Sequence, residues 1–377
     1  MIRSVTFVLT ILSALIPTRV VLGEHDCLKA SDLVKQGVRI SNASEEELGF
    51  YQQALGLCPD MAEAVFNIGI VLQKQGKVVE AERYLRQALS IKNDPRFRVA
   101  LGSLFQQEKK YDLAKEHYQA ALVADEKPPL AYQGMAKVLQ DEGKVQEAVS
   151  LLEDAKKSLP LDTVTALNLG VLYEVAHRYE DAGREYLRAT TLDSTNAKAF
   201  YLRGMLESRS GNLAEARPAL ERAVALDESY VEAILGLAEV NEKMNRSVQA
   251  QLGYRRVLKI HPDNMLAREH LIALLLDDHA YQEAVEILKV TVALDPKSPK
   301  LWSSYGRAQM ELGQVFDAEN SFKRSLELDS GNARVHNNLG VLYHRLGKID
   351  KARAQLQEAM RLDPAIEDIG ENLEMLQ

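Results

Sequence analysis

Eight histidines in 377 residues are the first place to look for chemistry. Two metal ligands on one helix face must stand three or four residues apart. His117, His177, His261, His270, His279, His336 and His344 contain no such pair, so no metal site is expected. Gly76-Lys77, Gly143-Lys144 and Gly347-Lys348 look like fragments of a phosphate-binding loop. They lack the earlier glycine and the following Ser/Thr, and no strand leads into them, so they read as turns. There is no Gly-x-Ser-x-Gly elbow, and neither Cys27 nor Cys58 has a catalytic context. Carboxylate pairs are spread along the chain as on any solvated helix face. These residues point to no enzyme and no cofactor.

The side chains that remain must act by recognition, and the elements that position them repeat. Stepping back 34 residues at a time from Ala352 gives Ala318, Ala284, Ala250, Ala216, Ala182, Ala148 and Ala114, and one step of 33 then gives Ala81. A fixed period of this size is the mark of a solenoid built from one supersecondary unit. Units begin at approximately Leu28, then Ala62, Pro95, Pro129, Thr163, Ala197, Val231, Met265, Pro299 and Ala333. Their eighth position is small in Gly69, Gly102, Ala136, Gly170, Gly204, Ala238, Gly306 and Gly340, and their twenty-seventh in Ala88, Ala121, Ala155, Ala189, Ala223, Ser325 and Ala359. Small residues there let two helices approach closely, with Tyr186, Phe322 and Leu356 among the larger residues filling the grooves. Gly76, Gly143, Gly211, Gly313 and Gly347 mark left-handed caps between helices, and Pro59, Pro160, Pro262, Pro296 and Pro364 end units. Ile272 and Thr291 enlarge both small positions of one unit, which predicts a wider helix pair there or a shift of its neighbours. Pro218, beyond the first turn of its helix, removes a backbone donor and favours a kink. Glu47 replaces the expected alanine in the first unit, while Ser44 and Glu47 read as a capping box.

This pattern resembles the tetratricopeptide repeat family over Leu28–Ile366. The resemblance implies an all-α, right-handed superhelical solenoid of about ten helix–turn–helix repeats, at 28–61, 62–94, 95–128, 129–162, 163–196, 197–230, 231–264, 265–298, 299–332 and 333–366. Residues 367–377 read as a capping helix with Ile369, Leu373 and Leu376 turned inward. The family binds proteins or peptides in a concave groove lined by first helices, so the second, fifth, sixth, ninth, twelfth and thirteenth positions face the ligand. In the last two units these include Lys300, Ser303, Ser304, Arg307, Arg334, Asn337, Asn338, His344 and Arg345, a basic and amide-rich surface suited to an extended backbone and an anionic group. In the Val231 unit they include Glu232, Glu239 and Glu242, giving the groove opposite sign. The carboxylate clamp of the family's co-chaperones does not carry over. Asn67, Asn168, Asn338 and Lys198 match its pattern, but Phe66, Leu167 and Leu202 stand where its other cations belong.

Net charge is −8 and disfavours non-specific nucleic-acid binding. Met1–Gly23 opens with Arg3, continues through the apolar run Val5–Pro17 and ends in a small residue, the layout of a cleaved secretory signal. Retention as an anchor is the alternative, and only then is a membrane a partner. Cys27 and Cys58 flank the first unit, whose antiparallel helices would bring them within disulfide reach; two unlinked thiols are the other reading. Asn42-Ala43-Ser44 and Asn245-Arg246-Ser247 match the glycosylation pattern and fall in loops. The expectation is a non-enzymatic exported scaffold, periplasmic or secreted (in a eukaryote, in the ER lumen or extracellular), serving an envelope or secretion assembly. A membrane-tethered scaffold and an accessory subunit of a polysaccharide or glycosyltransferase system are the alternatives.

Overall fold

The computed structural model describes residues 24–376 apart from 125–127 and 159–161; the segment read as a secretory signal lies outside the described residues. Among them there are helices and no strands. In chain order these are α1 (Glu24–Ile40), α2 (Glu45–Leu57), α3 (Ala62–Lys74), α4 (Val78–Ile91), α5 (Pro95–Gln107), α6 (Tyr111–Leu122), α7 (Pro129–Asp141), α8 (Val145–Ser158), α9 (Thr163–Val175) and α10 (Tyr179–Leu192). They continue as α11 (Ala197–Arg209), α12 (Leu213–Leu226), α13 (Val231–Lys243), α14 (Ser247–Ile260), α15 (Met265–Asp277), α16 (Tyr281–Leu294), α17 (Pro299–Glu311), α18 (Val315–Leu328), α19 (Ala333–Arg345), α20 (Ile349–Leu362) and α21 (Glu367–Glu374). The residues gather into two compact units, one ending at Ala182 and one beginning at Gly183.

From Ala62 onward each odd-numbered helix to α19 begins on the first residue of a sequence unit. The first helix is the exception, being already formed at Glu24 rather than Leu28. First helices are opened by side-chain caps where the sequence supplies them: Asp94 accepts from the Arg96 N–H, Asn196 from Ala199 and Asn264 from Ala267. Pairs such as α3–α4 and α17–α18 pack closely within a repeat. Successive first helices also touch, α3 with α5 and α5 with α7 in the N-terminal unit, α11 with α13 and α17 with α19 in the C-terminal one.

The nine in-register alanines are all fully buried. The eighth position of a repeat lies over a large side chain sixteen residues later. A Cβ placed on Gly69 would stand 2.8 Å from the Leu85 side chain, and one on Gly340 2.6 Å from Leu356 Cγ. Ile272 and Thr291 are both buried, and α15 and α16 pack less closely than α13 with α14 or α17 with α18, as their bulk predicts. Helix α12 continues through Pro218 to Leu226. Its missing donor is absorbed without ending the helix.

The five marked glycines have φ between 67° and 82°. At Gly347 the neighbouring Lys348 N–H reaches the Tyr343 carbonyl at 2.9 Å, a Schellman closure. The same turn recurs without glycine at Lys109, His177, Asn245 and His279, with φ of 56° to 59°. A side chain in that region costs about 1–2 kcal/mol, partly offset by glycine's greater chain entropy. Lys109→Gly is therefore expected to raise stability by about 0.5–1 kcal/mol in chemical denaturation. A destabilised variant would show that the Lys109 side chain does more than occupy the turn.

Cys27 and Cys58 are joined, with Cα atoms 5.1 Å apart. Glu47 is buried because it is bonded. It accepts from the Tyr51 hydroxyl at 2.9 Å and from the Ala43 N–H at 2.8 Å. Ser44 accepts from the Glu47 N–H, but the carboxylate returns to the residue before the cap, so the capping box is displaced by one. At the other end Ile369 of α21 and Leu376 just beyond it are buried.

Candidate partner-binding groove

The touching first helices of the N-terminal unit bring the positions expected to face a ligand onto one surface, where a cavity of about 520 Å³ opens. Phe66, Ile70 and Gln73 come from α3, and Arg96, Val99, Ala100, Ser103 and Gln106 from α5. Leu130, Gln133 and Gly134 close it from α7. Each occupies the second, fifth, sixth, ninth or twelfth position of its repeat. Tyr118 of α6 also lines the cavity and is 2% exposed. Its ring lies against Gly102 and Gly134, each of which would clash with it if given a Cβ. The Tyr118 hydroxyl donates to Gln106 Oε1 at 3.1 Å, and burial pushes its pKa up to about 12, so it stays a neutral donor. Phe66 is held by stacking on the fully buried Phe97, with centroids 4.6 Å apart.

Arg96 is the charged residue among the lining, and it and the nearby Lys92 are paired. Arg96 bonds Asp94 Oδ2 at 2.6 Å, and Lys92 bonds Glu63 Oε1 at 2.9 Å. The Arg96 hydrogen bond is the main cause holding the Asp94 carboxyl down at about 2, against an ordinary 3.8. Stability from this group is thus complete above pH 3.8 and is lost as pH falls through about 2. Because Arg96 is largely exposed, the expected cost of Asp94→Asn is modest, about 1 kcal/mol at neutral pH. The variant should also lose the acid dependence below pH 3.8 that Asp94 supplies. Denaturation curves at neutral and acid pH measure both effects, and an equal cost at both would contradict the assignment.

A smaller cavity of about 170 Å³ adjoins along α7 and α9, lined by Gln133, Lys137, Gln140 and Asn168 among others. Gln133 borders both cavities.

The C-terminal unit places the sequence-selected residues less uniformly. Arg307 and Arg334 are exposed, and Asn338 and His344 are half-buried. Lys300 pairs with Glu269 at 3.2 Å and Arg345 approaches Glu311 at 3.5 Å, so part of the basic character is neutralised by the preceding repeats. Asn337 is buried, and its Oδ1 accepts from Asn372 of the terminal segment at 2.9 Å. The capping helix therefore occupies a position that the repeat grammar alone assigns to a ligand. In the Val231 repeat, Glu242 accepts from the Tyr254 hydroxyl at 2.6 Å and lies 3.0 Å from His270 Nδ1. No group of three His, Cys, Asp or Glu side chains suited to a metal occurs among the described residues.

Stacked two-helix repeats whose successive first helices touch define the class: an α-helical repeat scaffold. Tetratricopeptide repeat models match residues 64–99, 95–128, 134–197, 209–274 and 298–365, together more than half of the chain. The chain belongs to the tetratricopeptide repeat family, whose members bind proteins or peptides. It is similar to protein FlbA of Caulobacter vibrioides, at 22% identity over 63% of this chain and 40% of the relative. It is also similar to the human protein O-mannosyl-transferase TMTC3, at 24% identity over 67% of this chain and 28% of that protein. The chain thus spans less than half the length of either relative. Among solved structures, YrrB, described as a TPR protein with an unusual peptide-binding site, aligns with a TM-score of 0.46 and 20% identity. The alignment takes in 50% of this chain and 97% of YrrB.

Proposed function

We propose that this chain is a non-enzymatic scaffold that holds a segment of a partner protein against α3, α5 and α7. The observation that carries the proposal is the cavity itself, which is lined from three consecutive first helices at the positions the repeat turns toward a ligand. A photo-reactive amino acid at Ser103, inside the cavity, should cross-link the partner. The same group at Val79, an exposed residue of the second helix α4, should not. Labelling through Val79 with none through Ser103 would contradict the proposal.

Export is part of the same reading. Its support is the layout of Met1–Gly23 and the Cys27–Cys58 bond, which suits an oxidising compartment such as the periplasm or the secretory route. Sequencing the mature protein should find Glu24 first. A mature chain starting at Met1 would favour the tethered form, and one carrying two free thiols would count against an oxidising compartment. Among the described residues no helix is long and apolar enough to cross a membrane. The likeness to a protein O-mannosyl-transferase supports a second reading, an accessory subunit of a glycan-handling system. Co-purification with such machinery is its test.

A further inference from the structure

Resting on the assignment of the N-terminal groove, we infer that this site takes an uncharged polypeptide segment bearing a large apolar side chain, and that Ala100 and Gly134 set that preference. The sixth position of a repeat stands at the centre of the groove wall. In most other repeats it is larger, as in Asn67, Asn168, Leu202, His270, Ser304 and Asn338, and at Gly236 of α13 the Met205 sulfur takes up the space, 2.7 Å from where a Cβ would stand. On α5 and α7 it shrinks to Ala100 and Gly134, and the cavity opens there with the Tyr118 ring among its lining. A larger side chain at Ala100 would fill it, and at Gly134 even a Cβ would strike the Tyr118 ring at Cζ.

The walls decide what enters. Phe66, Ile70, Val99 and Leu130 present apolar surface, and Leu130 remains 63% exposed among the described residues. An incoming carboxylate or ammonium would shed its water without finding a counter-ion, since Arg96 is already bonded to Asp94 and Lys92 to Glu63. A neutral apolar side chain meets no such cost. The polar lining argues for a polypeptide rather than an acyl chain. Gln73, Gln106 and Gln133 supply one primary amide from each of the three helices. Gln106 accepts from Tyr118, Gln73 donates to Gln107 and Gln133 donates to Asp162 and Thr165, which leaves the Gln106 amide protons and the Gln73 and Gln133 carbonyl oxygens to meet a ligand. Amides spaced along a groove can satisfy the alternating N–H and C=O groups of an extended backbone. An acyl chain would use none of the amide positions that the chain itself leaves open.

The test selects random short peptides, displayed without bias, on the full chain and titrates the winners against variants. The recovered peptides should share a large apolar residue among uncharged neighbours, and replacing that residue by aspartate should weaken binding about tenfold or more. Ala100→Phe, which fills the cavity, should weaken it by a similar factor of about ten or more, while Arg307→Glu with Arg334→Glu in the other unit should leave it unchanged. Ser103→Phe fills the same space from the next turn and replaces Ala100→Phe if thermal unfolding shows that variant to be misfolded. Peptides with a charged consensus that still lose binding in Ala100→Phe would overturn the chemistry while leaving the groove assignment standing. If binding ignores both filling variants, or no peptide is recovered, the inference and the groove assignment fail together.

Discussion

Gly306→Val will destabilise the C-terminal unit by about 3 kcal/mol, at the upper end of what overpacking a core usually costs. A Cβ on Gly306 would lie 2.7 Å from both Cδ1 and Cε1 of Phe322. Phe322 is fully buried within a cluster that includes Met310, Val335 and Leu339, so the ring has no free volume to move into. Chemical denaturation read by circular dichroism measures the loss. The cause can be isolated by a double-mutant cycle. With Phe322→Ala already in place, Gly306→Val should cost at least about 1 kcal/mol less than it does alone, because the two sites share one volume. Strictly additive effects would show that the contact is not the source. The Met265 repeat offers the converse case. Ile272 fills the equivalent position against a looser helix pair, so Ile272→Gly should lose stability by leaving a cavity rather than gain it by relieving a clash.

Removing the Cys27–Cys58 bond, as Cys58→Ser, is expected to cost about 4 kcal/mol in the chain-entropy account. The bridge closes a loop with a sequence separation of 31. Its effect should be local, because a repeat array is stabilised by nearest neighbours. Helix α1 is held through a small apolar cluster of Ala30, Ala54 and Ala64 with Leu33, Val34 and Met61 around it. Hydrogen exchange should therefore rise across α1 and α2 and stay unchanged in α5 and α6. Uniform loss of protection over the N-terminal unit would show that the end repeat is coupled more widely than nearest-neighbour packing implies.

Much of the fold is legible because its determinants are local and periodic. The alanines from Ala81 to Ala352 read as one buried seam and are fully buried. The five glycines read as left-handed caps have positive φ, and the bulk of Ile272 and Thr291 reads correctly as a wider helix pair. The left-handed turn at Lys109 carries no such mark, since the Schellman closure is imposed there by the length of the connection rather than by residue type.

The groove is harder to read, for two physical reasons. Partners at long range change the meaning of a surface charge. Lys300 and Arg345 stand out in the sequence as cations, yet acids 31 and 34 residues earlier pair with them. Asn337 reads as ligand-facing until Asn372 of the terminal segment covers it. The cavity on α3, α5 and α7 is equally non-local, arising where small sixth-position residues on adjacent helices coincide with the Tyr118 ring. A signal for it does exist. Phe66, Ile70, Val99 and Leu130 are apolar residues at positions that face outward in this repeat, which is unusual for a solvated surface. Attention to charge alone passes over them.

A structure of the chain with the cross-linked partner segment bound would test the central claim most directly. The account predicts an extended segment lying across α3, α5 and α7, with its backbone near Gln73, Gln106 and Gln133 and one side chain seated in the cavity beside Tyr118. A segment found on the second helices, or on the Arg307 and Arg334 surface with that cavity empty, would contradict it.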